Sequence, residues 1–318
     1  MLFFMLQRRN NWFLSIFTSR LLCGTIAAKR RRVSVNVLCL ISIILGLTVQ
    51  DVAKKQYSYR IKGGTYSFAA AGTLIAVFFF LISSGGKLSF SQAFLPYSVG
   101  FSISYSLSMV FSLLAVSTGP LSLTALVVSC SLLLPTIYGL VWLQEPFSVF
   151  LAIGVILLFA ALNLINFEKK GEQQQITPQW LLYVSLAFIG NGMCTVIQKA
   201  QQMACSGAYK NEFMIVSLLA SSVVLFAVAA LRERRDVLSH IKSGLPWYCL
   251  SGAANGMVNL LVMLLSRELA ASVMFPVISA GGIVVTFLVA VVFYKENLSR
   301  WQIIGVVLGA LSVVFLNL

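Results

Sequence analysis

EPFSVFLAIGVILLFAALNLIN (residues 145–166) and ENLSRWQIIGVVLGALSVVFLN (residues 296–317) align without a gap, 151 positions apart. Each opens on a glutamate with a serine three residues on, carries Ile-Gly-Val (153–155 and 304–306), and ends on asparagine. The stretches ahead of them align at the same offset, Leu113-Leu114 with Leu264-Leu265. A second match sets ILGLTVQDVAKKQ (44–56) against FIGNGMCTVIQKAQ (188–201), pairing Gly46 with Gly190 and Lys55 with Lys199. Self-similarity at this spacing makes the chain two copies of one structural unit.

Composition says what the unit is built for. Of the 318 residues, 59% are hydrophobic and only 10% charged, against about 25% charged in soluble domains, so lipid is the solvent. Ten apolar spans are read at about 34–55, 65–83, 94–116, 121–143, 147–167, 180–200, 212–231, 246–266, 271–294 and 300–318. Many approach the ~20 residues a helix needs to cross a ~30 Å hydrocarbon core. Barrel strands would instead alternate over about ten residues. The fold class expected is an all-α integral membrane protein of about ten transmembrane helices. Its parts are a first five-helix repeat over 33–170, a second over 177–318, and a basic leader over 1–32. An odd number of spans per repeat forces the second to enter from the opposite side, giving an inverted pair of the kind that alternates access to a site at its interface.

The formal net charge of +14 falls in short clusters between apolar blocks, which fits membrane flanks and not a nucleic-acid face. In the leader, Arg8, Arg9 and Arg20 interrupt the apolar runs ahead of Lys29, Arg30, Arg31 and Arg32. An amphipathic arm, a signal-like segment and a true start near Val33 all fit that stretch. The six cysteines have no metal-like spacing and read as small packing residues. No Walker loop and no convergent His, Asp or Glu cluster is present, so neither an enzyme nor a cofactor is expected. Loop charges argue against a cytoplasmic N-terminus unless the leader dominates, which leaves both orientations open.

The two terminal blocks, LVWLQEPFSVFLAIGVILLFAAL and AVVFYKENLSRWQIIGVVLGALSVV, resemble the drug/metabolite transporter superfamily, in particular its ten-helix EamA-like members. The second fits better, since Gln302 precedes Ile303, Ile304 and Gly305 where the first has Leu151. The resemblance covers about 34–318. It implies a multi-pass cell-membrane protein that moves a small metabolite or drug-like solute, usually outward; ten helices suffice for a monomer and do not exclude a homodimer. It also implies a central cavity lined mainly by the third, fourth, eighth and ninth helices, with the first and sixth nearby. A channel or a non-transporting scaffold or receptor is the alternative, with a membrane enzyme behind both.

Polar residues inside lipid-spanning helices mark the candidate cavity, because each needs a protein or water partner. In the third span these are Tyr97 with Tyr105, or Ser102 with Ser106 and Met109; tight serine packing between helices is the competing reading. Asn255 and Asn259 share a face of the eighth span. Asn191, Thr195, Gln198 and Gln202 form a stripe on the sixth. Gln50 and Asp51 close the first, and Asp51 is the carboxylate to test if protons are coupled. In the fourth and ninth spans Ser129, Ser131, Pro135, Pro276, Ser279, Gly281 and Gly282 permit close packing or a local break. Lys54, Lys55 and Lys199 are expected to snorkel to the headgroups, Glu145 and Glu296 to sit hydrated at the start of the helices that follow them, and His240 to be solvated.

Overall fold

The computed structural model describes residues 35–61, 63–118, 124, 127–128, 130–166, 177–294 and 300–316. The leader, Ser129, Glu296 and Pro120, which the sequence places near the start of the fourth span, lie outside the described residues. Helices are α1 (Val35–Arg60), α2 (Thr65–Ser83), α3 (Leu95–Thr118), α4 (Leu133–Val141) and α5 (Val149–Asn166), then α6 (Pro178–Ala204), α7 (Lys210–Arg232), α8 (Leu245–Glu268), α9 (Ala271–Tyr294) and α10 (Arg300–Leu316). A short helix, Val237–Ser243, precedes α8. The chain divides after Ser42, and the compact unit Ile43–Leu318 holds everything discussed below.

Six of these helices, α1 to α3 and α6 to α8, are long and apolar enough to cross a membrane. Polarity is inverted relative to a water-soluble fold. Ile82, Ile103, Ile156 and Val223 are exposed, whereas Ser98, Ser217, Ser221 and Gln201 are buried. That is the arrangement lipid demands: apolar surface outside, hydroxyls and amides turned toward other helices. The chain is a multi-pass membrane protein.

Local signals set the helix ends. Thr177 accepts a hydrogen bond from Trp180 N at 3.1 Å with Pro178 behind it, a cap plus a first-turn proline. The fourth span breaks at Ser131-Leu132, where the Leu134 N–H reaches back to Ser131 O at 3.0 Å, and Pro135 falls in the first turn of α4. Pro276 by contrast sits inside the continuous α9. The local break thus belongs to the first repeat.

Packing follows an inverted two-fold exchange of the repeats, in which α1 to α5 map onto α6 to α10. The pairs α2/α7, α4/α9 and α5/α10 each pack together and map onto themselves, and α2/α8 is mirrored by α7/α3. In α5/α10, Ser312 Oγ donates to Gly154 O at 2.8 Å and Phe150 stacks near Phe315, so the two run antiparallel. The matched glycines make equivalent crossings. A Cβ on Gly190 would come within 2.7 Å of Ser104 O and Ser108 N on α3, and one on Gly46 would meet Ala254 to Val258 on α8. Gly305 and Gly309, the G-x-x-x-G of the last span, are both buried.

Carboxylates fasten the ends of α2 and α7. Glu233, just past α7, accepts from Tyr66 N at 2.7 Å, Ser67 N at 3.1 Å and the Ser67 hydroxyl, capping α2. At the far end Glu212 of α7 accepts from Ser89 N at 2.8 Å. The C-terminal end of one helix therefore meets the N-terminal end of the other. Between α1 and α2, Gly64 adopts φ 73°, and a side chain there would strike Tyr57 and His240.

Along α3 and α7 the register is parallel. Ser98 Oγ donates to Phe213 O at 3.3 Å, Ser102 Oγ to Ser217 O at 3.0 Å, and Ser221 Oγ to Ser102 O at 3.3 Å. Such interhelical bonds contribute on average about 0.6 kcal/mol each. For Ser98 and Ser102, helix packing is the role the geometry assigns.

Candidate functional site

A cavity of about 370 Å3 lies within the bundle. Its walls come from the C-terminal halves of α1 and α3 and the N-terminal halves of α2, α6 and α8, with Val128 of the fourth span. It thus occupies the half of the bundle next to the α1–α2 turn, running from Asn191 and Asn255 to Lys54, Ser58 and Thr65. Phe68, Met109 and Leu113 add apolar wall. The α2 wall, Ala69, Gly72 and Thr73, escaped the sequence reading because it carries small residues and no polar stripe. α9, expected from the resemblance to line the cavity, contributes no described lining residue.

The inner end of the cavity is a hydrogen-bonded chain across four helices. Gln198 Nε2 of α6 donates to Asn259 Oδ1 at 2.7 Å, Asn259 Nδ2 to Asn255 Oδ1 at 2.8 Å, and Asn255 Nδ2 to Tyr105 Oη at 3.1 Å. Tyr105 Oη lies 3.4 Å from Thr73 Oγ1, whose proton goes to Ala69 O at 2.7 Å, so the tyrosine is the donor there. Every donor in this chain has an acceptor, which fixes the side chains before any solute arrives. Asn259→Leu strips the acceptor from the buried Gln198 amide, and a cost of about 1–3 kcal/mol in unfolding free energy in micelles is expected. A cost below 0.5 kcal/mol would show that Gln198 finds another partner.

The ten candidate positions separate into groups. Gln50, Tyr105, Asn191 and Asn255 line the cavity. Gln198 and Asn259 stand behind Asn255 in the chain just described. Thr195 donates to Gly192 O at 2.8 Å, Tyr97 packs against the aromatic core around Phe101, and Ser102 joins α7. Asp51 is exposed, outside the lining, and pairs with Lys54 at 3.6 Å. Asn191 also donates to Ser131 Oγ at 2.7 Å, holding α6 to the broken fourth span.

Three expectations about charged groups are corrected. Lys199 does not snorkel. α6 continues a full turn beyond it to Ala204, and its Nζ is buried, donating to Ser266 O at 2.6 Å and Leu269 O at 2.7 Å. Glu145 does not sit hydrated at the head of α5. It reaches across to cap α9, accepting from Ala271 N at 2.7 Å and Ser272 N at 2.8 Å, with Lys199 Nζ 3.8 Å away. His240 is largely buried, its Nδ1 3.7 Å from Glu233 Oε2. The Glu145–Lys199 knot lies at the end of the bundle opposite the cavity, because it joins the C-terminal ends of α6 and α8 to the start of α9.

The model of the EamA-like transporter family matches residues 178–318, so the second half of the chain is similar to EamA-like transporters. Among solved structures, one described only as a crystal structure of a protein superposes with a TM-score of 0.71 over 89% of this chain and 96% of that one. At 14% identity it establishes the shared fold across both halves and nothing further. No curated protein matches the chain.

Proposed function

We propose that the protein is a secondary transporter of the cell membrane that carries a small polar solute outward by alternating access between its two inverted repeats. The observation carrying this is the contrast between the bundle's halves: a cavity of about 370 Å3 next to the α1–α2 turn, and a buried seal of Lys199, Glu145 and the α8–α9 turn at the other end. Inverted repeats supply the second state, because exchanging the conformations of the halves moves the opening to the opposite face. A channel needs a continuous path, and the seal argues against one. No carboxylate lines the cavity among the described residues. Asp51, adjoining through Lys54, is therefore the group through which proton coupling would run.

The test is transport by purified protein in proteoliposomes against amino acids, organic acids, nucleosides, sugars and drug cations. Saturable counterflow of at least one solute is expected, at a rate many-fold above empty vesicles. Non-saturating leakage points to a channel instead, and inactivity of folded protein across the panel removes the proposal.

A further inference from the structure

The lining restricts the charge of what can bind. Lys54 is the one charged side chain in it, and no aspartate or glutamate faces the space among the described residues. Gln50 and Lys54 are four residues apart on α1, hence on one face. The Gln50 amide nitrogen is buried with no hydrogen-bond partner. Across the cavity, Asn191 and Asn255 each spend one amide proton, on Ser131 and Tyr105 respectively. The α1 wall therefore brings together the positive charge of the lining and an amide nitrogen with no partner.

The same end of the bundle is electropositive. Arg60, Arg232, Arg234 and Lys242 are exposed there, against Asp51, Asp236 and Glu233, and Glu233 is already occupied in capping α2. A field of this sign concentrates anions at the mouth and repels cations. One ammonium matches a single negative charge, and two adjacent donors match the two oxygens of a carboxylate. A phosphate monoester, with nearly twice the charge, finds too little positive charge in the lining.

Building on the transport reading, we propose that the carried solute is a small monocarboxylate whose acid group is held by Lys54 Nζ and the Gln50 amide, with its apolar body against Phe68, Met109 and Leu113. Lys54 is more than half exposed and paired with Asp51 at 3.6 Å, so its ammonium can turn from that partner to the ligand without disturbing the fold.

The experiment measures binding to the full-length protein in nanodiscs by ligand-induced thermal shift and tryptophan fluorescence, independently of transport. Probes are benzoate, phenylacetate and indole-3-acetate, each beside its amide, the corresponding amine, and phenyl phosphate. At least tenfold tighter binding of carboxylates than of amides, amines or phosphate is expected. That preference should fall at least tenfold in Lys54→Gln, partly return in Lys54→Arg, and strengthen in Asp51→Asn, which frees the ammonium. Equal binding of carboxylate and amide, absence of binding by any carboxylate, or full preference in Lys54→Gln with an unchanged melting temperature overturns the proposal. If carboxylates bind as expected but proteoliposomes show no counterflow, the transport reading fails while the site stands. If a neutral or cationic solute is transported and carboxylates do not bind, the reverse holds.

Discussion

Glu145→Ala is expected to destabilise the folded protein by about 3–5 kcal/mol, because removing one partner of a buried pair leaves the other charge uncompensated. The N–H groups of Ala271 and Ser272 lose their acceptor together, and the Lys199 ammonium loses its counter-charge. Lys199→Met should cost roughly half as much, since the glutamate keeps both backbone donors and the favourable field of the α9 N-terminus. In Glu145→Gln/Lys199→Met the loss should be smaller than the sum of the two single changes, the signature of coupled neighbours. Unfolding of the purified protein in micelles reads all three. Strict additivity, or a Glu145→Ala loss under 1 kcal/mol, would falsify the buried knot as described.

The second large effect concerns the matched glycines. A methyl group at Gly190 would come within 2.7 Å of Ser104 O and Ser108 N, which are backbone atoms of α3 and cannot rotate away. Gly190→Ala must therefore push two helices apart, at about 1–3 kcal/mol, and Gly190→Val more. Gly46→Ala meets the Val258 methyl at 2.6 Å and the end of Met257 at 3.0 Å, side-chain atoms that can shift, so a smaller loss is expected. No described atom lies within 4 Å of a Cβ at Gly282, and alanine there should be neutral or gain about 1 kcal/mol of helix propensity. The order Gly190 > Gly46 > Gly282 in unfolding free energy is the prediction; a Gly46→Ala loss equal to that at Gly190 contradicts it.

Much of this fold was legible in the sequence because lipid imposes simple rules. Apolar blocks of spanning length, an odd number per repeat and two ungapped self-matches lead to a ten-helix inverted bundle, and the Gly46–Gly190 pairing anticipated two equivalent helix crossings. The site was harder for a physical reason. Any amide in a lipid-spanning helix needs a partner, and sequence cannot say whether that partner is a neighbouring helix or a solute. Asn255 and Asn259 share a face, yet one borders the cavity and the other holds Gln198 behind it. Tyr97 and Tyr105 are likewise two turns apart, and only Tyr105 reaches the space. Lys199 was misread because the expected helix end fell at residue 200, where a lysine reaches headgroups; four more residues of helix bury it beside Glu145 instead. That partner comes from between α4 and α5, and its backbone donors from the start of α9, so no local pattern could announce it.

The hydroxyls between helices hold one more implication, for how the protein assembles and moves. Ser102 Oγ shares its single proton between Ser98 O at 2.8 Å in its own helix and Ser217 O across on α7, and Ser217 Oγ, Ser221 Oγ, Thr136 Oγ1 and Ser266 Oγ each bond the carbonyl four residues back. A helix carrying such self-satisfied hydroxyls can enter the bilayer alone without exposing an unpaired proton to hydrocarbon. Partners chosen afterwards, during association, are additions and not necessities. In the alternating-access cycle proposed above, the same independence would let neighbouring helices slide or part and re-form their contacts with no intermediate stranded in lipid.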